Sequence, residues 1–174
     1  FRRARILKAN GFNAIRSAHQ PISRDLLDAA DEVGLYVVDE LADIWHQPKT
    51  MHDASAQFDT SWREDARAMV AKARNHPSAI MYSIGNEVGA TATPAGVETT
   101  KELSSCFHEL DPHTPTTLAI SFLVNVMSSR GTDLFKAIES ADRPAERKRS
   151  AVSSTMANVV MNRFGSIMQT VGKL

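Results

Sequence analysis

NHPSAIMYSIGNE, residues 75–87, opens on a helix-stopping turn and closes on an acid. Pro77 lacks an N–H and disfavours helical geometry in the residue before it, so Asn75-His76-Pro77 ends whatever helix precedes it. Ala79 to Ile84 is then a short, mostly apolar run of the length and composition of a buried strand. Side chains of a strand alternate, so Ala79, Met81, Ser83, Gly85 and Glu87 are expected on one face and Ile80, Tyr82, Ile84 and Asn86 on the other. The first face narrows toward Glu87, with Ser83 and Gly85 beneath it, which leaves room for a carboxylate over a barrel interior. The bulky face is expected to meet helices.

The same grammar extends in both directions. Upstream, FRRARILKANG reads as the tail of an amphipathic helix stopped at Asn10-Gly11, and FNAIR as a strand. Ser23 can cap a helix in which Leu26, Leu27, Ala30 and Val33 recur at helical steps, with Gly34 as its left-handed stop and LYVVDE as the next strand. Leu41 to Thr60 shows no steady period and reads as a long loop, a class that is usually functional or mobile. Ser61 and Glu64 have capping-box spacing, and Trp62, Ala66, Met69, Val70 and Ala73 form one apolar face.

Downstream, a helix is expected from Pro94 to Leu110, with Cys106 beside its apolar side, and TTLAIS is a fourth strand. Ser128-Ser129-Arg130-Gly131 reads as loop, and Val152, Met156, Val160, Phe164, Ile167 and Val171 as a last amphipathic helix. Short apolar strands alternating with helices define an α/β class built from parallel βα units. A complete eightfold barrel needs about 250 residues. Four units are therefore half of one, or the whole of an open doubly wound sheet, and periodicity does not choose between them.

The 174 residues carry 20 Lys+Arg against 20 Asp+Glu, so a net charge of zero offers no global attraction to nucleic acid or to a membrane surface. No apolar run approaches the roughly 20 residues that span a bilayer. A single cysteine, Cys106, excludes an internal disulfide framework and a Cys-rich zinc site. His46, His52, His76, His108 and His113 show no ligand-like spacing, and no Gly-rich phosphate loop of either common form occurs. The chain starts at Phe1, inside what reads as a helix, and is expected to be a segment of a longer protein. No export signal is readable, and the expected compartment is the cytoplasm.

The chemically interesting residues cluster after strands, where parallel α/β folds build their sites: Arg16 and His19 after the first, Asp39 and Glu40 after the second, Asn86 and Glu87 after the third. Two carboxylates at such an edge can perform general acid/base work, and Glu40 and Glu87 are the obvious pair. The alternative for Glu40 is to orient Arg16 or cap a loop, and for Arg16 to be a buried ion-pair partner rather than a substrate clamp. His19 stands where an imidazole reaches a ligand hydroxyl or the loop backbone. Trp45, in the long loop, is either a stacking platform for a sugar face or the anchor of a small cluster, whereas Trp62 belongs to the core. The Arg143–Arg149 run contains Glu146 and reads as solvated surface.

GFNAIRSAHQP, then LYVVDE, then NHPSAIMYSIGNE together resemble, in order and spacing, the barrel domain of glycoside hydrolase family 2. The resemblance implies a partial (β/α)₈ TIM barrel across residues 1–174, its strands being the second to fifth of eight. It makes Glu87 the general acid/base of a retaining β-glycosidase and Asn86 a ligand of the sugar 2-hydroxyl. Arg16, His19 and Glu40 line the pocket, with Asp43 and Trp45 shaping it from the following loop. The nucleophile is implied on a later strand beyond this chain, so the chain alone is expected to be inactive. Some galactosidases of the family hold magnesium through a His two positions past the Glu that matches Glu40; here that position is Ala42, and no magnesium or other cofactor is expected. A terminal β-galactoside is the implied substrate, with a β-glucuronide as its nearest rival. A non-catalytic sugar-binding or truncated half-barrel is the reading from another class. Exposed barrel edges are expected to promote self-association.

Overall fold

The computed structural model describes residues 1–50 and 52–129. The helix expected at 152–171, the 143–149 run, and Arg130 and Gly131 lie outside the described residues.

Helix α1 (Arg2–Ala9) ends where the sequence says it should, with the Asn10 amide donating to the Ile6 carbonyl at 2.8 Å and Gly11 at φ +86°. β1 (Ala14–Arg16) follows. The Ser23 hydroxyl accepts from the Leu26 N–H to cap α2 (Arg24–Val33), and Gly34, at φ +76°, turns the chain directly into β2 (Tyr36–Glu40). Only a residue without a Cβ enters that left-handed turn freely. The later elements are α3 (Ser55–Ala73), β3 (Ala79–Asn86), a 3₁₀ turn (Gly89–Ala92), α4 (Pro94–Leu110), β4 (Thr116–Ala119) and α5 (Phe122–Ser129).

Two boundaries differ from the sequence expectation. α3 begins at Ser55 rather than Ser61, because Asp53 gathers the free backbone donors ahead of it: its carboxylate accepts from the N–H groups of Lys49, Thr50 and Ser55 at 2.6, 2.8 and 3.0 Å. The extra turns bring Phe58 into the core between Trp45 and Trp62, at centroid separations of 6.2 and 6.4 Å. Ser128 and Ser129 close α5 instead of forming a loop.

Among the described residues the four strands are all parallel and lie in the order β1-β2-β3-β4. A doubly wound sheet reverses its strand order at a switch point. Under the general rule that parallel crossovers are right-handed, unbroken sequential order keeps the helices on one side of the sheet and is the winding of a barrel wall. That decides the alternative periodicity left open.

The core lies between the sheet and its helices, around Leu27, Val37, Met69, Tyr82, Ile84, Leu103 and Phe107. Tyr82 reaches through this layer to donate to Asp111 at 3.1 Å, and burial, reinforced by Asp111, pushes its phenol well above the ordinary value. Cys106 packs against the same core, and its thiol is pushed up first by burial. The opposite sheet face is more open, with Tyr36 53% exposed. Among the described residues no helix is long and apolar enough to cross a membrane.

β3 slips register twice. Ala79 pairs with Val37 but Met81 with Val38, leaving Ile80 as an extra residue; later Ser83 pairs with Thr117 but Asn86 with Ala119, so β3 advances three residues while β4 advances two. A bulge of this kind re-aims the side chains beyond it.

Candidate active site

The second slip corrects the expectation for Asn86. Strict alternation sends its side chain toward the helices, whereas the slip brings it to the face carrying Ser83. There the Asn86 Oδ1 accepts from the Arg16 guanidinium at 2.7 Å.

Glu40, at the end of β2, is fully buried and saturated. Its Oε2 accepts from Arg16 Nε and Nη2 at 2.9 and 2.5 Å and from the Ser83 hydroxyl at 2.7 Å, while Oε1 meets His19 Nδ1 at 2.6 Å. A buried carboxylate is tolerable when paired and hydrogen-bonded in this way. Glu40 is thus the post around which Arg16, His19 and Ser83 are arranged, the orienting alternative raised from the sequence, and it has no idle oxygen for acid/base work. Arg16 likewise is an ion-pair partner, with its guanidinium bridging Glu40 and Asn86. His19 Nδ1 is spent on Glu40, and the Nε2 of this part-exposed ring has no hydrogen-bond partner among the described residues.

Asp39 points the other way. Its Oδ1 accepts from the Ile22 N–H at 2.7 Å, and its Oδ2 lies 3.0 Å from Lys72 on α3, so it ties the loop after β1 to a helix. Ser17 links both acids: it donates to Asp39 at 3.3 Å and accepts from the Glu40 N–H at 2.8 Å.

The network continues on the other side of Asn86. Its amide donates to Asp43 Oδ1 at 2.9 Å, and the same oxygen meets the Lys49 ammonium at 2.6 Å. Lys49 donates a second time, to the Asn86 main-chain carbonyl at 2.8 Å. Burial acts to raise the Asp43 pKa, but the hydrogen bonds from Lys49 and Asn86 and the Lys49 charge outweigh it and hold the carboxyl below its ordinary value. Lys49 and Ser17 escape a sequence reading. Each is a common polar residue in an aperiodic loop, and no spacing marks it.

Trp45 resolves toward the anchor. It is fully buried, its indole N–H donates to the Ile84 carbonyl at 3.0 Å, and it stacks on Phe58, so it offers no ring face to a sugar. A Cβ on Gly85 would lie 2.9 Å from Trp45 Nε1 and 3.1 Å from Leu118 Cδ1. Gly85 is therefore required for space, and Trp45 acts as the wedge behind the last turn of β3.

Glu87 follows at φ +46° with its N–H donating to the Ala119 carbonyl at 2.7 Å. It is exposed, and its carboxylate has no hydrogen-bond or ion-pair partner among the described residues. The strand ends thus juxtapose one buried, fully engaged acid and one open acid, separated by a fixed Arg and Asn. At the other end of the sheet, His76 pairs with Asp31 at 2.6 Å, and the Ser78 N–H donates to Asp31 at 2.9 Å. The His-Pro turn is clasped to α2 there, far from this edge.

Comparison with known proteins bears on this arrangement. The family model described as glycosyl hydrolases family 2, TIM barrel domain, matches residues 2–158. Beta-galactosidase BoGH2A of Bacteroides ovatus is 44% identical over 87 residues, which are 50% of this chain and 10% of that protein. A putative beta-glucuronidase of Formosa agariphila is 37% identical over 97 residues, 56% of this chain and 9% of that one. Among solved structures, a glycosyl hydrolase family 2 member from Bacteroides cellulosilyticus superposes with a TM-score of 0.68 at 36% identity, covering 82% of this chain and 20% of that one. The chain spans about a tenth of the length of these two sequence relatives. With four consecutive parallel βα units wound as a barrel wall and a family model matching nearly all of its length, the chain belongs to glycoside hydrolase family 2, within its TIM-barrel domain.

Proposed function

We propose that this chain supplies the acid/base half of the catalytic site of a retaining β-glycosidase, with Glu87 as the group that protonates the departing glycosidic oxygen. The observation that carries the reading is the contrast between the two strand-end acids. Glu40 is enclosed by four hydrogen bonds from three residues, whereas Glu87 stands unpartnered among the described residues and exposed, where a substrate oxygen can reach it. General acid/base transfer needs a carboxyl within hydrogen-bond reach of that oxygen, and only Glu87 of the two is free for it.

Asn86, its Oδ1 held by Arg16 and its amide by Asp43, is fixed to meet the sugar hydroxyl next to the anomeric carbon, and His19 offers Nε2 toward the same space. In retaining catalysis the second carboxyl attacks the anomeric carbon from about 5–5.5 Å away. In this reading it comes from outside the described residues, and the 174-residue chain alone gives no turnover.

The sugar proposed is a terminal β-galactoside. Its neutral ring needs no cationic partner, and the cations of this edge among the described residues, Arg16 and Lys49, are engaged by Glu40 and Asp43. A β-glucuronide is the second reading, supported by the Formosa agariphila relative; it requires a cation from elsewhere to meet the uronate.

The test is hydrolysis of aryl β-galactoside, β-glucuronide and β-mannoside by the complete protein and by its Glu87→Gln variant. Loss of about 10²- to 10⁴-fold in the variant is expected for removal of a general acid/base. Unchanged turnover would remove Glu87 from the mechanism, and turnover by the 174-residue chain itself would place a nucleophile within it. Self-association through the exposed barrel edges belongs to the same proposal, and size-exclusion chromatography of the chain tests it.

A further inference from the structure

Glu87 carries a Cβ yet sits at φ +46°, a backbone region that residues other than glycine rarely occupy and keep only where the surroundings over-determine it. Its carboxylate has no partner among the described residues, so of these only the main chain on which it stands sets the aim of that carboxylate. The peptide linking Asn86 to Glu87 is held from both sides. Its N–H donates to the Ala119 carbonyl of β4 at 2.7 Å, and its carbonyl accepts from the Lys49 ammonium at 2.8 Å.

Lys49 does more than touch this carbonyl. Its side chain is only 10% exposed, and it meets Asp43 Oδ1 at 2.6 Å, the oxygen that also takes the Asn86 amide at 2.9 Å. Main chain and side chain of Asn86 are thereby referenced to one ammonium–carboxylate pair. The Lys49 backbone is itself pinned, its N–H donating to Asp53 at 2.6 Å just ahead of α3. An ammonium on a four-carbon stem has three donors to distribute and can serve a carbonyl and a carboxylate at once.

We propose that Lys49 is a positioning residue for proton transfer: it fixes the Asn86–Glu87 peptide and so aims the Glu87 carboxyl at the leaving oxygen. The inference rests on the acid/base reading of Glu87 and assigns Lys49 no contact with substrate.

The test exploits the leaving group. A 2,4-dinitrophenolate departs without protonation, whereas methanol does not. In the complete protein, kcat/KM is measured for 2,4-dinitrophenyl and methyl β-galactosides, and for the two glucuronides, with wild type, Lys49→Met, Lys49→Gln and Glu87→Gln. Lys49→Met is expected to lose about 10²-fold on the methyl glycoside, the scale of an ångström-sized misplacement, while the dinitrophenyl value stays within about threefold. Lys49→Gln, which keeps a donor for the carbonyl, falls between. An equal loss on both substrates means that Lys49 only holds the fold together, and no loss on either means that it positions nothing; each overturns the proposal. If Glu87→Gln itself shows no leaving-group dependence, the acid/base reading fails instead. A crystal structure of Lys49→Met gives a readout independent of turnover: Glu87 leaving the left-handed region supports the proposal, and an unmoved Asn86–Glu87 peptide refutes it.

Discussion

Replacing Arg16 with Met tests whether the strand-end network is one interacting unit. The substitution keeps an unbranched stem along β1 but removes two hydrogen bonds to Glu40, at 2.9 and 2.5 Å, and one to Asn86 at 2.7 Å. Removing one partner of a buried pair costs about 3–5 kcal/mol because the other charge is stranded. Two features lower that figure here. The Arg16 side chain is 38% exposed, so water can enter in its place, and Glu40 retains Ser83 and His19. The expected loss is therefore about 2–3 kcal/mol. Urea unfolding followed by Trp fluorescence measures it, since Trp45 and Trp62 are both buried in the folded state. Glu40→Gln alone is expected to cost about 2 kcal/mol, and the double variant less than the sum by at least about 1.5 kcal/mol, because neither charge is then left unpaired. Additivity within about 0.5 kcal/mol would show that the two residues do not act together, and the reasoning that makes Glu40 a post rather than a catalyst would fall with it.

Gly85→Ala forces a Cβ to within 2.9 Å of a fully buried indole that has nowhere to go, and is expected to destabilise by about 1–3 kcal/mol in the same assay; Trp45→Leu in that background should recover part of the loss, and no recovery would locate the clash elsewhere. Asp43 is held below its ordinary carboxyl value in the folded state, so the stability it contributes is present above that value and is lost as pH falls through the lower folded pKa. Asp43→Asn is accordingly expected to be less stable than wild type at neutral pH and to converge with it at strongly acidic pH. A difference that persists unchanged to the acid end of a pH-dependent denaturation series would refute the role assigned to its charge.

Much of the fold is legible one residue at a time because it is written in local chemistry. Gly34 stops α2 by needing a left-handed turn, Ser23 caps it, and His76-Pro77 separates α3 from β3, each within a few residues of the element it bounds. The start of α3 is not legible locally because Ser61 offers a capping pattern, while the operative acceptor, Asp53, works by collecting donors from a loop with no period of its own. Arg16, His19, Glu40, Asn86 and Glu87 could be named from strand-end position and from family resemblance. Trp45 could be named too, but whether its ring faces a ligand or the core depends on Gly85 and Phe58, which reach it from β3 and α3.

The sequence alone determined the α/β class, the four strands and the acids at their ends, because apolar periodicity and turn residues act over short spans. Tertiary structure decided the rest. Sequential parallel order chose a barrel wall over a doubly wound sheet, a choice made by which strands pair. The register slip between Ser83 and Asn86 carried Asn86 to the site face, against the strict alternation any single strand predicts. Pairing across three strands and a loop then gave Glu40 three partners and left Glu87 with none among the described residues. The difference between two glutamates alike in sequence arises from distances between segments remote along the chain, and local pattern does not encode those distances.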